Sequence, residues 1–112
     1  MNISYEDIGH ICVTFPADNC VAGHVCKMGA EGKVTGCAAG EAFCGMVETA
    51  HGDRAGVQIH GFVEAAYTGG APAMGYVNLS ADGSGGVKAD ANGRAYLVVK
   101  VNTTTMTVTF EL

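Results

Sequence analysis

The sequence predicts an all-β fold, a small barrel or compact sandwich built from two related halves. Three observations carry that reading. First, one phrase occurs twice: Val21-Ala22-Gly23-His24-Val25-Cys26-Lys27-Met28, a Gly-rich turn and Lys33-Val34, then Ala73-Met74-Gly75-Tyr76-Val77-Asn78-Leu79, a turn over Asp82-Gly83-Ser84-Gly85-Gly86 and Val87-Lys88. Repetition of a strand–turn–strand unit is a statement about architecture. Second, the 17 glycines against 2 prolines fall between short apolar runs, as many tight turns between short strands require. Third, nowhere does a helical period persist for three turns.

The elements follow in order. Met1 to Gly9 reads as an extended N-terminal arm, with Ile3, Tyr5 and Ile8 set among Asn2, Ser4, Glu6 and Asp7. Ile11 to Phe15 is a short β-branched run that Pro16, lacking an N–H, is expected to stop. Strands are expected at Gly23 to Met28, Lys33 to Cys37 and Phe43 to Glu48, with Thr49 to Arg54 as a loop. Gly56 to Ala66 is the longest strand candidate, and Gly61 inside it marks a bulge or the close approach of another backbone. Gly75 to Leu79 and Val87-Lys88 repeat the first pair. Ala95 to Val101 is apolar on both faces and so belongs in the middle of a sheet. Asn102-Thr103-Thr104 should turn the chain into a last strand with Met106, Val108, Phe110 and Leu112 inward. The core set is Val57, Ile59, Leu97, Val99, Met106, Val108 and Phe110. The whole reads as one β domain over 1–112, with the arm at 1–9 and the β core at about 19–112.

Bulk composition narrows the function. A net charge of -5 and dispersed Lys27, Lys33, Arg54, Lys88, Arg94 and Lys100 lack the basic face that nucleic-acid binding needs. No apolar run approaches the ~20 residues that cross a bilayer. The N-terminus has no basic segment leading into an apolar stretch, so synthesis in the cytoplasm without export is expected. Five cysteines, an odd count without a secretion signal, suggest reduced core thiols rather than a disulfide framework.

Four patterns could carry chemistry, and each has a plainer reading. His24 and Cys26 share a strand face, with Cys12, Cys20, Cys37, Cys44, His51 and His60 available to complete a zinc site. No C-x-x-C occurs, however, and Cys26 with Met28 also suits simple packing. Cys44 with His51 could form a nucleophile–base pair, but Glu41 and Glu48 give the wrong local charge for a thiolate, which favours a buried strand thiol. His51-Gly52-Asp53-Arg54 could hold a general base, or be a surface loop. Gly83-Ser84-Gly85-Gly86 lacks the Lys-Ser/Thr and following helix of a phosphate loop.

The order of motifs matches a family. Val21 to Val34, Phe43 to Val47, Val57 to Val63, Pro72 to Val87 and Leu97 to Leu112 together resemble the small cement, or head-decoration, proteins of tailed bacteriophages. The resemblance spans about Asn19 to Leu112, and the five cysteines depart from the pattern. It implies a non-enzymatic virion protein on the capsid exterior, often a homotrimer, that locks neighbouring major capsid subunits. It brings no catalytic, cofactor or metal residues, and no nucleic-acid or membrane partner. The alternative is a small metal- or ligand-binding β-barrel using the Cys/His set; a cysteine hydrolase is the more distant rival.

Overall fold

The computed structural model describes residues 9–112; the arm at 1–9 therefore lies, but for Gly9, outside the described residues. Ten strands and no helix make up the described chain: β1 (Ile11–Asp18), β2 (Val25–Met28), β3 (Val34–Gly36), β4 (Gly45–His51), β5 (Arg54–His60), β6 (Phe62–Ala66), β7 (Gly75–Ala81), β8 (Val87–Ala89), β9 (Arg94–Asn102) and β10 (Thr107–Glu111). The first five close into a barrel in the order β1-β3-β2-β4-β5, and the second five form a sheet in the order β6-β10-β9-β7-β8. A parallel bridge from Tyr67 to Val87 joins the two ends of that second sheet.

The two halves are the same fold written twice. Parallel β1–β3 pairing, Ala17 opposite Val34, corresponds to the Tyr67–Val87 bridge. Antiparallel β2–β3, β2–β4, β4–β5 and β1–β5 correspond to β7–β8, β7–β9, β9–β10 and β6–β10. Even the irregularities match. In β4–β5 an extra residue, Glu48, sits between the Val47–Val57 and Thr49–Gly56 pairs; in β9–β10 Val99 sits between Val98–Phe110 and Lys100–Thr109. The turns match too: Gly29 N–H donates to Lys33 O at 2.7 Å and Asp82 N–H to Gly86 O at 3.1 Å. Gly32 and Gly85, next to last in those turns, take φ of 78° and 95°.

Packing follows the same correspondence. The buried residues of the first barrel are Ala17, Cys26, Val34, Val47, Ala55 and Val57. By strand register their counterparts are Tyr67, Leu79, Val87, Val98, Val108 and Phe110, all buried in the second core. The second half carries the larger side chain at four of these positions outright, Tyr67, Leu79, Val108 and Phe110, so its interior is wider. It also recruits Val25, Phe43 and Met46 from the first half into its own core. Phe43 stacks on Tyr96 with centroids 5.0 Å apart and meets Phe110 edge-on at 5.8 Å.

Several expectations are corrected. Pro16 does not stop the first strand: it pairs with Arg54, and β3 reaches β1 only from Ala17 onward, so the proline sits where its other side needs no N–H. Thr49 to Arg54 is no loop; β4 and β5 form a hairpin whose turn is Gly52-Asp53. Gly56 to Ala66 is two strands in different sheets, broken at Gly61 (φ 93°), where Gln58 Nε2 donates to the carbonyls of His60 and Phe62. In β9 the inward residues are Tyr96 and Val98, with Leu97 and Val99 half-buried, because pairing with β7 and the bulge at Val99 set the face. Ile59 is half-buried, and Met106, with φ 53°, is exposed in the turn before β10. One corner gathers both halves: Leu112 N–H donates to Gly61 O at 2.9 Å, and Gly9 lies against Gly61.

Candidate functional site

Of the residues singled out for metal chemistry, Cys20, Cys37 and Cys44 come near enough to Cys26 to disfavour its thiolate, but they do not form a ligand set. Among the described residues no three His, Cys, Asp or Glu side chains group closely enough to hold an ion. The His24 ring is placed by packing: it lies against the backbone of Gly85, whose carbonyl accepts the Val25 N–H at 2.9 Å. His51 ends β4 at the hairpin, while Cys44 precedes the first residue of that strand, Gly45. At ~3.3 Å per strand residue they stand about 20 Å apart, which separates the suggested nucleophile from its base.

The Gly83-Ser84-Gly85-Gly86 loop carries its own anion. Asp82 Oδ1 accepts the N–H groups of Ser84 at 2.7 Å and Gly86 at 3.0 Å, so donors that would cradle a phosphate are occupied. In the His51–Arg54 hairpin the Asp53 carbonyl accepts the Ala17 N–H at 2.8 Å. Asp53 and Arg54 with Thr14, Phe15 and Pro16 line an open depression of about 320 Å³.

The thiols differ from the expected set of core cysteines. Only Cys26 is buried; Cys20 and Cys37 are half-buried, Cys12 and Cys44 exposed, and all five are free. Burial, then the Glu48 carboxylate, raises Cys12; burial also raises Cys20, whose thiol donates to Val34 O at 3.3 Å. Burial and the Glu41 carboxylate push Cys37 up to about 11. Cys44 goes the other way, down to about 7, because the Cys26 thiol donates a hydrogen bond to its sulfur and its own N–H adds to the stabilisation. Cys26, as the donor, is held protonated. Glu41, expected to oppose a Cys44 thiolate, is bound to Lys27 and to the Ala38 N–H and acts on Cys37.

A second feature lies where β7, β9 and β10 run side by side in the second sheet. Tyr76 on β7 stands opposite Leu97 on β9, which stands opposite Glu111 on β10. Together with Arg94, Ala95, Tyr96 and Leu112 they line a shallow depression of about 140 Å³. Tyr76 is 79% exposed and Met74, just before it, 62%. The Arg94 guanidinium sits 5.4 Å from the Tyr96 ring centroid. The repeated phrase contains Met74 and Tyr76, but strand alternation alone could not tell that both would face outward. Tyrosine and arginine, which flank this depression, are residue types that carry binding energy at protein interfaces. No protein-family model, curated protein or solved structure matches the chain.

Proposed function

We propose that this chain is a non-catalytic decoration protein that attaches to the outside of a tailed-phage head and clamps neighbouring major capsid subunits. One observation carries the reading: buried side chains fill the core of each half, while Tyr76 stays outside, on a depression it shares with Arg94. Such an arrangement offers a rigid surface to a macromolecule rather than an enclosed site to a small ligand. The net charge of -5 suits a particle that must stand on a shell without adhering to nucleic acid. Many identical clamps then resist internal pressure through avidity, and trimers on the shell are the assembly we expect.

The test is co-sedimentation with expanded, undecorated heads of the phage whose genome carries the gene. Saturable binding at a fixed ratio to the major capsid subunit is expected. Tyr76→Glu should weaken it tenfold or more, about 1.4 kcal/mol or above, while leaving the thermal midpoint within a degree or two. Heads that take up no protein, or a Tyr76→Glu variant that binds as the wild type does, would overturn the reading or this surface's part in it, respectively.

A further inference from the structure

Cys26 and Cys44 form a couple that a clamping role does not use. Cys26 is fully buried in the first barrel, facing its core. Cys44 is exposed at the point where the chain enters β4. Main-chain contacts fix the two: the Cys44 N–H donates to the Cys26 carbonyl at 2.8 Å, and Cys26 pairs in register with Gly45. The Cys26 sulfur sits at this seam, 3.7 Å from the Gly45 carbonyl oxygen, and is near enough to Cys44 for each thiol to shift the other's ionisation. That main-chain N–H···O bond brings the two Cα atoms within the separation that a disulfide spans.

We propose that Cys44 is a hydroperoxide-reactive thiol and that Cys26 is its resolving partner, the two closing into a disulfide that ties β2 to the entry of β4. The Cys44 thiolate attacks one peroxide oxygen; an S–O bond forms, the O–O bond breaks, and the other oxygen leaves as water or alcohol after taking up a proton. Cys44 is then a sulfenic acid. Cys26 sulfur attacks the Cys44 sulfur; the S–S bond forms, the S–O bond breaks, and the Cys26 proton leaves with the hydroxide as water. One hydroperoxide is reduced by two electrons and two thiols are oxidised by the same two.

The environment sorts the five thiols. Cys26 is shielded from solvent and so resolves rather than attacks. Cys12 is exposed but stands beside the Glu48 carboxylate, which disfavours its thiolate. Cys20 and Cys37 are half-buried with their thiolates disfavoured by that burial. Among the described residues, Cys26 on β2, Cys20 after β1, Cys37 after β3 and Tyr96 on β9 interact electrostatically with Cys44; Lys27 acts on Cys37 and Arg94 on Tyr96. Cys26 is the largest influence favouring the Cys44 thiolate, and the Cys44 main-chain N–H adds to it.

The experiment uses the reduced full-length chain, hydrogen peroxide as probe, and maleimide trapping followed by intact mass and peptide mapping. A loss of two hydrogens, three remaining alkylatable thiols and a Cys26–Cys44 cross-linked peptide are expected. Without peroxide, iodoacetamide should label Cys44 on the order of fivefold faster than Cys12 at pH 7, the thiolate gain being partly offset by lower nucleophilicity. That labelling rate should rise with pH about a midpoint near 7. Cys26→Ala should stop the reaction at a sulfenic acid that dimedone captures on Cys44. Should that variant fail to fold, the wild-type peptide map decides the matter. A cross-link between any other pair, over-oxidation of Cys44 without a cross-link, or equal labelling of Cys12 and Cys44 would overturn the proposal.

Discussion

Gly85 and His24 show how a single contact can separate two positions that are otherwise equivalent. Gly32 and Gly85 occupy the same place in matched turns and share a positive φ. Alanine at Gly32 would meet open space, so its cost is the left-handed conformation alone, about 1 kcal/mol. Alanine at Gly85 would also overlap the His24 ring, and we expect about 2–3 kcal/mol in urea denaturation. His24→Ala in the Gly85→Ala background should recover the difference; equal costs at the two glycines would mean the ring contact carries no weight. At this scale the sequence was least legible. His24 looked like a ligand because its true neighbour, Gly85, lies in the other half of the chain. Cys44 looked like a strand thiol, and only the approach of Cys26 across β2 and β4 reveals otherwise.

Two equivalent connections, β3 to β4 and β8 to β9, are each organised by one carboxylate. Glu41 accepts from Lys27 and from the Ala38 N–H, and Asp90 accepts from the Asn92 N–H at 2.9 Å and from Ser80 Oγ at 2.7 Å. Lys27 first and Ala38 second hold the Glu41 carboxyl below its ordinary range; Asn92 and then Ser80 do the same for Asp90. A depressed folded-state pKa means the unfolded chain binds more protons, so this stabilisation is present above about pH 4 and is lost as pH falls through the folded values. The urea midpoint should therefore drop between pH 5 and pH 2.5, and Glu41→Gln with Asp90→Asn should flatten that limb. An acid limb unchanged in the double variant would count against both contacts. At the scale of elements most strands could be read from alternation and turn residues. The misreadings cluster where pairing overrides pattern: Pro16 tolerated beside a strand that starts one residue later, and β9, apolar on both faces, whose register only β7 and β10 could set.

The doubled architecture was legible from the repeated phrase, yet the inequality of the halves was not. Nothing in that phrase indicates that Val25, Phe43 and Met46 would join the core of the other half, or that Phe43 would sit on Tyr96 and Phe110. That sharing should couple the halves into one cooperative unit. Calorimetry should give one transition with equal calorimetric and van't Hoff enthalpies, and two transitions in the wild type would refute the coupling. Phe43→Ala should cost on the order of 3–5 kcal/mol and let the first barrel, with its smaller core, melt ahead of the second. The corner where Leu112 bonds to Gly61 and Gly9 lies against Gly61 has a different consequence. The end of one unit, the start of the other and the link between them share a single point in space. A circularly permuted gene, opened after Gly61 and joined from Leu112 back to Gly9, would specify the same set of contacts in the opposite reading order. On these contacts, the permuted chain should fold to the same arrangement whichever of the two units is translated first.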